Sequence, residues 1–291
     1  MKEMLKRITY ALLLNITLII ILSGCNQFDL SQLIEQRTAD ETQIKNEQTK
    51  KVDEIGKNGQ EDSNTGDVND DFSENEWVLE EEYFNQVEIS DGLSVILNPE
   101  NILSLVNKEH TLPSVYIPPD LVKPNVPFSF GDLDVPKRYL RVEAGEALEN
   151  LFMGAKKDSI QLFAVSGYRS YVTQEAIYQA QIRKTGEEEL ANQTVAIPGQ
   201  SEHQTGLAID VSSHSAQLRL VESFGETEEG RWVQEHAHEY GFIVRYPKGK
   251  EEITGYQYEP WHLRYVGVEI ATQIFTNNLT LEEFFGKVKK L

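Results

Sequence analysis

The chain has 291 residues, of which 40% are hydrophobic, a formal charge of −20 and a single cysteine. That length allows one large domain or two small ones, and the slightly low apolar share implies that part of the chain builds no core. Without a basic patch a nucleic-acid partner is excluded, and one cysteine excludes both an intramolecular disulfide and a thiolate metal site.

In chain order, Lys2, Lys6 and Arg7 precede an apolar run from Ile8 to Leu22. The run is shorter than the ~20 residues that a spanning helix needs. Leu22-Ser23-Gly24-Cys25 follows and resembles a bacterial lipobox. Residues 1–24 are therefore expected to be a lipoprotein signal peptide. Cys25 would then carry a lipid holding the protein to the extracellular face of the bacterial cell membrane. Residues 25–76 are rich in Gln, Asn, Asp, Glu, Lys and Thr. Such a segment cannot bury enough apolar surface to offset its ordering entropy, so it reads as an acidic disordered tether. A short helix around Leu30–Gln36 is its one expected element. Between Glu35 and Asp91, eighteen acidic and five basic residues place −13 of the charge there, and like charges keep such a tether extended.

A folded domain is expected over residues 77–291. Val87–Ile89 and Leu93–Leu97 alternate as strands, and four prolines from Pro113 to Pro124 make an ordered arm rather than a helix. Helical spacing then predicts Glu143–Ala155, with Ala147, Leu148, Leu151 and Phe152 inward, and Thr173–Arg183, with Ala176, Ile177 and Ala180 inward and Gly186 stopping it. A third helix spans Glu228–Tyr240, its Trp232, Val233, His236 and Tyr240 sharing a face, so His236 reads as a packed core histidine. A last helix runs from a Thr280/Glu283 capping box to about Lys290. Strands are expected at Ile160–Val165, Leu207–Val211, Phe242–Tyr246 and Trp261–Val266. The fold class is α+β: a small antiparallel sheet flanked by helices, with the functional site in a cleft on the sheet.

Within the strand Leu207–Val211, Leu207, Ile209 and Val211 take one face and Ala208 and Asp210 the other. An unpaired carboxylate in such an apolar run is costly, and a cation would hold it there. His203 lies just upstream across Gly206, and His262 can join from a second strand. Two imidazoles and one carboxylate leave an open fourth position, the arrangement of catalytic zinc. Glu259, set before Pro260, is then the candidate base, moving a proton between the attacking water and the leaving amine. Arg169, in the turn Ser166–Ser170, can grip a carboxylate or stabilise an oxyanion, and Gln174 can help orient the substrate. His110, His214, His236 and His238 stay outside this site.

Ser166-Gly167-Tyr168-Arg169-Ser170, Ser201-Glu202-His203-Gln204-Thr205-Gly206-Leu207-Ala208-Ile209-Asp210-Val211 and Glu259-Pro260-Trp261-His262-Leu263-Arg264-Tyr265 resemble the zinc D-alanyl-D-alanine carboxypeptidases of the VanY type. The arm, through Tyr116-Ile117-Pro118-Pro119-Asp120-Leu121-Val122, resembles that family's N-terminal arm, and the likeness runs over about residues 105–275. It implies zinc on His203, Asp210 and His262, Glu259 as catalytic base, and Arg169 and Ser201 in contact with substrate. The implied activity is removal of the terminal D-alanine from peptidoglycan stem peptides by a D,D-carboxypeptidase; separately, a monomer is expected. An L,D-carboxypeptidase acting on tetrapeptide stems would use the same groove. A non-catalytic peptidoglycan-binding module with structural zinc is the reading from another class, against which Glu259 beside an open coordination position argues.

Overall fold

Alternation along four strands decides the architecture. Phe163–Ser166 (β1), Ala208–Ser212 (β2), Phe242–Tyr246 (β3) and Glu259–Tyr265 (β4) form an antiparallel sheet in the order β1-β2-β4-β3. The computed structural model describes residues 77–192 and 194–291; the signal peptide, tether and Leu30–Gln36 helix read from the sequence lie outside them. One face of the sheet is apolar: Ile209, Val211, Phe242 and Leu263 pack with Leu207, Leu148 and Leu151. Successive side chains of a strand point to opposite faces, so Asp210, Arg245, His262 and Arg264 share the other. All four are buried. The sheet therefore has an oily side and a charged side, and the side chains of both are largely covered.

Val142–Lys157 (α1) covers the apolar face. Its buried Ala144, Leu148, Leu151, Phe152 and Ala155 recur at helical spacing. Glu143 in the first turn and Lys156 and Lys157 in the last suit the helix dipole. Glu228–His236 (α3) closes the same core with Trp232 and Val233.

Segments from both ends of the domain cover the charged face. Arg264 Nη2 donates to the Ile102 carbonyl at 2.9 Å. Leu281–Lys287 (α5) brings Glu282 to Arg245, and its Thr280/Glu283 capping box is present as expected. Leu281 and Phe284 pack with Leu79, Leu103 and with Ala271 and Ile274 of Val268–Thr276 (α4). Val78–Leu79 pairs in parallel with Lys289–Lys290, stitching the two ends together.

The two expected strands, at Val87–Ser90 and Leu93–Ile96, pair as a hairpin turned by Asp91 and Gly92 at φ 50° and 80°. The proline-rich arm is ordered: Val106, Leu112 and Tyr116 pack with Ile96. Gln204 Nε2 donates to the Pro113 and Tyr116 carbonyls, tying the arm to the turn before β2.

Five expectations need correction. The helix Tyr171–Thr185 (α2), which Gly186 does end, buries Gln174 and Tyr178, while Ala176, Ile177 and Ala180 are exposed. Polar contacts orient it rather than an apolar stripe: Gln174 Nε2 donates to the Ala196 carbonyl and Tyr178 Oη to Glu188. Strand β1 begins at Phe163, not Ile160, because Ser159 turns the chain at φ 65°, leaving Ile160 and Leu162 buried in a connector. His236 is not a core residue; it is half-buried and pairs through Nδ1 with Glu239 at 2.9 Å. The α-helical part of that segment ends there, with a tighter 3-10 turn over Ala237–Tyr240. The last helix stops at Lys287, since Lys289 and Lys290 are used as a strand.

Gly206 is needed where it stands. It has φ 70°, and a Cβ there would lie 3.0 Å from Leu121 Cδ2 and 3.3 Å from Pro118 Cγ. The left-handed backbone costs an L-residue about 1–2 kcal/mol, and crowding typically about 1–3 kcal/mol more. Gly206→Ala should therefore lower the melting temperature by roughly 4–20 °C, at about 2–4 °C per kcal/mol for a domain of this size. Calorimetry checks this, and an unchanged midpoint would show that the turn accommodates a side chain.

Candidate active site

The site is assembled by strand pairing. Asp210 on β2 lies directly opposite His262 on β4, and Ser166 flanks it from β1. His203 arrives from the 3-10 turn Glu202–Thr205, which Gly206 ends. Asp210 Oδ1 is 3.0 Å from His262 Nδ1, and Oδ2 is 3.4 Å from His203 Nε2. The two imidazoles lie nearly perpendicular, with ring centroids 4.9 Å apart.

His203 Nδ1 sits 2.9 Å from the Gly167 carbonyl. A carbonyl only accepts, so Nδ1 carries the proton and the Nε2 lone pair faces Asp210. Gly167 must be glycine for this approach, because a Cβ would stand 2.5 Å from the Tyr139 carbonyl oxygen. One ligand atom from each of His203, Asp210 and His262 lies within 4.8 Å of the others. Tetrahedral zinc bonded at about 2.0–2.1 Å would place its ligands about 3.3–3.5 Å apart. The donor types fit that ion, as does the 3.4 Å between Asp210 and His203; the 3.0 Å between Asp210 and His262 is a shorter, hydrogen-bond distance.

These residues line a cleft of about 270 Å³ together with Arg169, Gln174, Ser201 and Glu259. Every described residue singled out from the sequence is thus brought to one place; Cys25 lies outside the described residues. Glu259 and His262 are three apart, an offset that a regular strand would place on opposite faces. The strand is irregular here: β4 carries two more residues than β3 between the pairs Glu259–Tyr246 and Leu263–Val244, and Glu259 and His262 both line the cleft. Arg169 Nη1 donates to Gln174 Oε1 at 2.9 Å and Nη2 to Ser166 Oγ at 3.3 Å. With Gln174 Nε2 on the Ala196 carbonyl, the amide of Gln174 is engaged at both ends. It holds Arg169 rather than presenting a free group.

Sequence reasoning missed a buried charge network behind the site. Glu202 Oε1 accepts from Arg245 Nε and Arg264 Nη1, both at 2.8 Å, and Glu202 Oε2 lies 3.3 Å from His262 Nε2. Arg245 also forks onto Glu282 at 2.9 and 2.6 Å. A signal was present: Arg245 and Arg264 each interrupt an apolar strand, and a buried guanidinium demands a carboxylate.

The carboxylates of this region diverge in acidity. Burial opposes ionisation of Glu202, yet Arg245, Arg264 and His262 outweigh it and hold the carboxyl far below its usual range. Asp210 is likewise held low against burial by His203 and His262. Burial draws His203 down, whereas in His262 it is overcome by hydrogen bonds to Asp210 and Glu202, which push the imidazole up to about 9. Glu259 goes the other way. Burial chiefly, with Asp210 adding and His262 opposing, pushes it up to about 7.

Raising a carboxyl in the folded state favours its protonated form. The native state therefore gives up stability as pH rises from the ordinary carboxylate range through about 7. In chelated protein, Glu259→Gln should be near neutral for stability at pH about 5 and stabilising at pH about 8, on the order of 2 kcal/mol. Denaturant melts at the two pH values check this; equal effects at both would show that the carboxyl is not displaced.

Comparison with known proteins agrees with this geometry. The VanY family model, described as D-alanyl-D-alanine carboxypeptidase, matches residues 137–268. YodJ of Bacillus subtilis (strain 168), a carboxypeptidase by assignment, is 56% identical over 216 residues, covering 74% of this chain and 78% of that protein. The structure of the LdcB LD-carboxypeptidase, solved for its peptidoglycan recognition, aligns with TM-score 0.72 and 55% identity over 74% of this chain and 100% of that one. The D,D-pentapeptidase VanY from a VanB-type vancomycin resistance cassette, in complex with Zn(II), aligns with TM-score 0.51 and 35% identity over 63% of this chain and 98% of that one. The chain belongs to the VanY family: it is a carboxypeptidase whose cofactor is zinc.

Proposed function

We propose that this chain removes the terminal D-alanine from peptidoglycan stem peptides, acting as an L,D-carboxypeptidase on tetrapeptide stems. The observation that carries the reading is one cleft holding three metal donors, a carboxyl raised to about 7 and a fixed guanidinium. The choice of tetrapeptide rests on the fuller likeness to LdcB, 55% identical over the whole of that chain, against 35% for the D,D-pentapeptidase. A D,D-carboxypeptidase acting on pentapeptides is the second reading, favoured by the description of the matching family model.

In this reading His203, Asp210 and His262 hold zinc, which when bound supplies Lewis-acid polarisation of water and of the scissile carbonyl. Glu259 takes the proton of the attacking water and returns it to the departing amine of D-alanine. Its raised acidity constant suits both tasks, since an efficient proton carrier titrates near the working pH. Arg169 grips the terminal carboxylate, held at the right distance by Gln174 and Ser166, with Ser201 beside it. We also place the protein on the extracellular face of the membrane through a lipid on Cys25, with residues 25–76 as its tether. Growth with a labelled fatty acid tests that anchor, and an unlabelled mature protein would remove it.

Incubation with tetrapeptide and pentapeptide muropeptides, followed by mass spectrometry, should show tetrapeptides shortened to tripeptides. Shortening of pentapeptides alone would transfer the assignment to the D,D reading. Glu259→Gln should lower turnover at least ~10³-fold while zinc content stays unchanged, and a chelator should abolish turnover in the wild type. The kcat/KM profile should fall on the acid side as Glu259 protonates, at a pH that a dication in the cleft draws below 7. Substantial turnover by the Gln variant would remove Glu259 from the chemistry.

A further inference from the structure

One buried group has no part in the mechanism above. Glu202 is fully buried and lies next to His203 in sequence, yet its carboxylate meets the metal donors only at the far nitrogen of His262, Nε2. Neutralising the two arginines does not by itself explain its placement. A single oxygen, Oε1, takes both Arg245 Nε and Arg264 Nη1 at 2.8 Å, and Arg245 has a second, forked carboxylate in Glu282. The other oxygen, Oε2, is left for the imidazole of His262 at 3.3 Å.

We propose that Glu202 is a positioning residue for the metal site: it keeps the His262 proton on Nε2, so that the Nδ1 lone pair faces the ion. The inference rests on reading His203, Asp210 and His262 as the metal site. Held between two guanidinium groups, Glu202 is a carboxylate and can only accept. The hydrogen at its Oε2 contact therefore belongs to His262 Nε2, and Nδ1 is the nitrogen turned toward Asp210, 3.0 Å from Oδ1. His203 is set the opposite way by the Gly167 carbonyl, which accepts a hydrogen bond from Nδ1–H and leaves Nε2 free for the ion. Outer partners of this kind fix a ligand's tautomer and ring orientation. The clamp on Glu202 also reaches outside the family-matched region 137–268. Arg264 is anchored on the Ile102 carbonyl and Arg245 on Glu282, so the segment preceding the arm and the last helix both complete the outer shell.

Glu202→Gln tests this with little change of volume. The two arginines would keep the amide oxygen, so the amide NH₂ would face His262 Nε2 and require it to accept. The proton then moves to Nδ1 and the ion loses that lone pair. In the full chain, titrated with zinc against a competing chelator, this variant should bind zinc about 10–100-fold more weakly than wild type. Unchanged zinc affinity in a folded Gln variant would overturn the proposal, whatever happens to its melting temperature. Long-range ¹H–¹⁵N correlation of the zinc-loaded wild type decides even if the variant does not fold. A proton on His262 Nε2 supports the assignment, and a proton on Nδ1 overturns it. A wild-type chain that takes up no zinc would instead overturn the metal-site reading and this inference with it.

Discussion

The register between β2 and β4 is the constraint on which the site depends. His262 pairs with Asp210, Leu263 with Ile209, and Arg264 with Ala208. A slip of one residue would turn His262 into the apolar core, bring Arg264 after it and eject Leu263 onto the charged face. Leu263 is fully buried among Leu207, Ile209 and Phe242. Moving it out and driving in a guanidinium costs several kcal/mol in each direction. The metal donors are therefore aligned by hydrophobic packing on the opposite side of the same strands.

The charged side of the sheet follows a different rule. Buried ions contribute little net stability, because desolvation offsets most of their attraction, but removing one partner leaves the others exposed to that full cost. Glu202, Arg245, Arg264 and Glu282 are linked by hydrogen bonds of 2.6–2.9 Å, each ion depending on its neighbours. Such a network excludes alternative arrangements more than it strengthens the chosen one. Its outer anchors, Ile102 and Glu282, lie on segments that cover the face from the two ends of the domain. The segment around Ile102 and the final helix thus cover the polar back of the site.

Much of this was legible in the sequence, because a charge inside an apolar alternation is a physical anomaly. Asp210 stood out in this way, and the glycine turn, the second histidine and Glu259 followed from what could satisfy it. The same anomaly at Arg245 and Arg264 went unread, since arginine heads ordinarily reach solvent along their own stems. Glu202 was hidden beside His203, where an acidic residue before a turn looks like any exposed one. Helix α2 failed for a separate reason. Ala176, Ile177 and Ala180 satisfy helical spacing, but the contacts that fix the helix are the amide of Gln174 and the hydroxyl of Tyr178, and no hydrophobic pattern reports those. The bulge in β4 was half visible, since an odd offset with both residues needed on one side demanded a distortion near Pro260.

Three carboxylates in one buried region reach two opposite outcomes, and the difference assigns their tasks. Glu202 and Asp210 each face cationic or hydrogen-bonding partners at 2.8–3.4 Å and remain ionised. Glu259 shares the cleft but makes no ion pair among the described residues, so burial dominates and its carboxyl rises to about 7. A group permanently ionised suits holding a cation or a guanidinium in place; a group poised near neutrality suits exchanging a proton. A cation placed among His203, Asp210 and His262 would draw Glu259 back toward the carboxylate form, which is the form that accepts a proton from water. Burial supplies the tendency to keep the proton and the cation the tendency to give it up, and the balance lets one side chain both take a proton and return it.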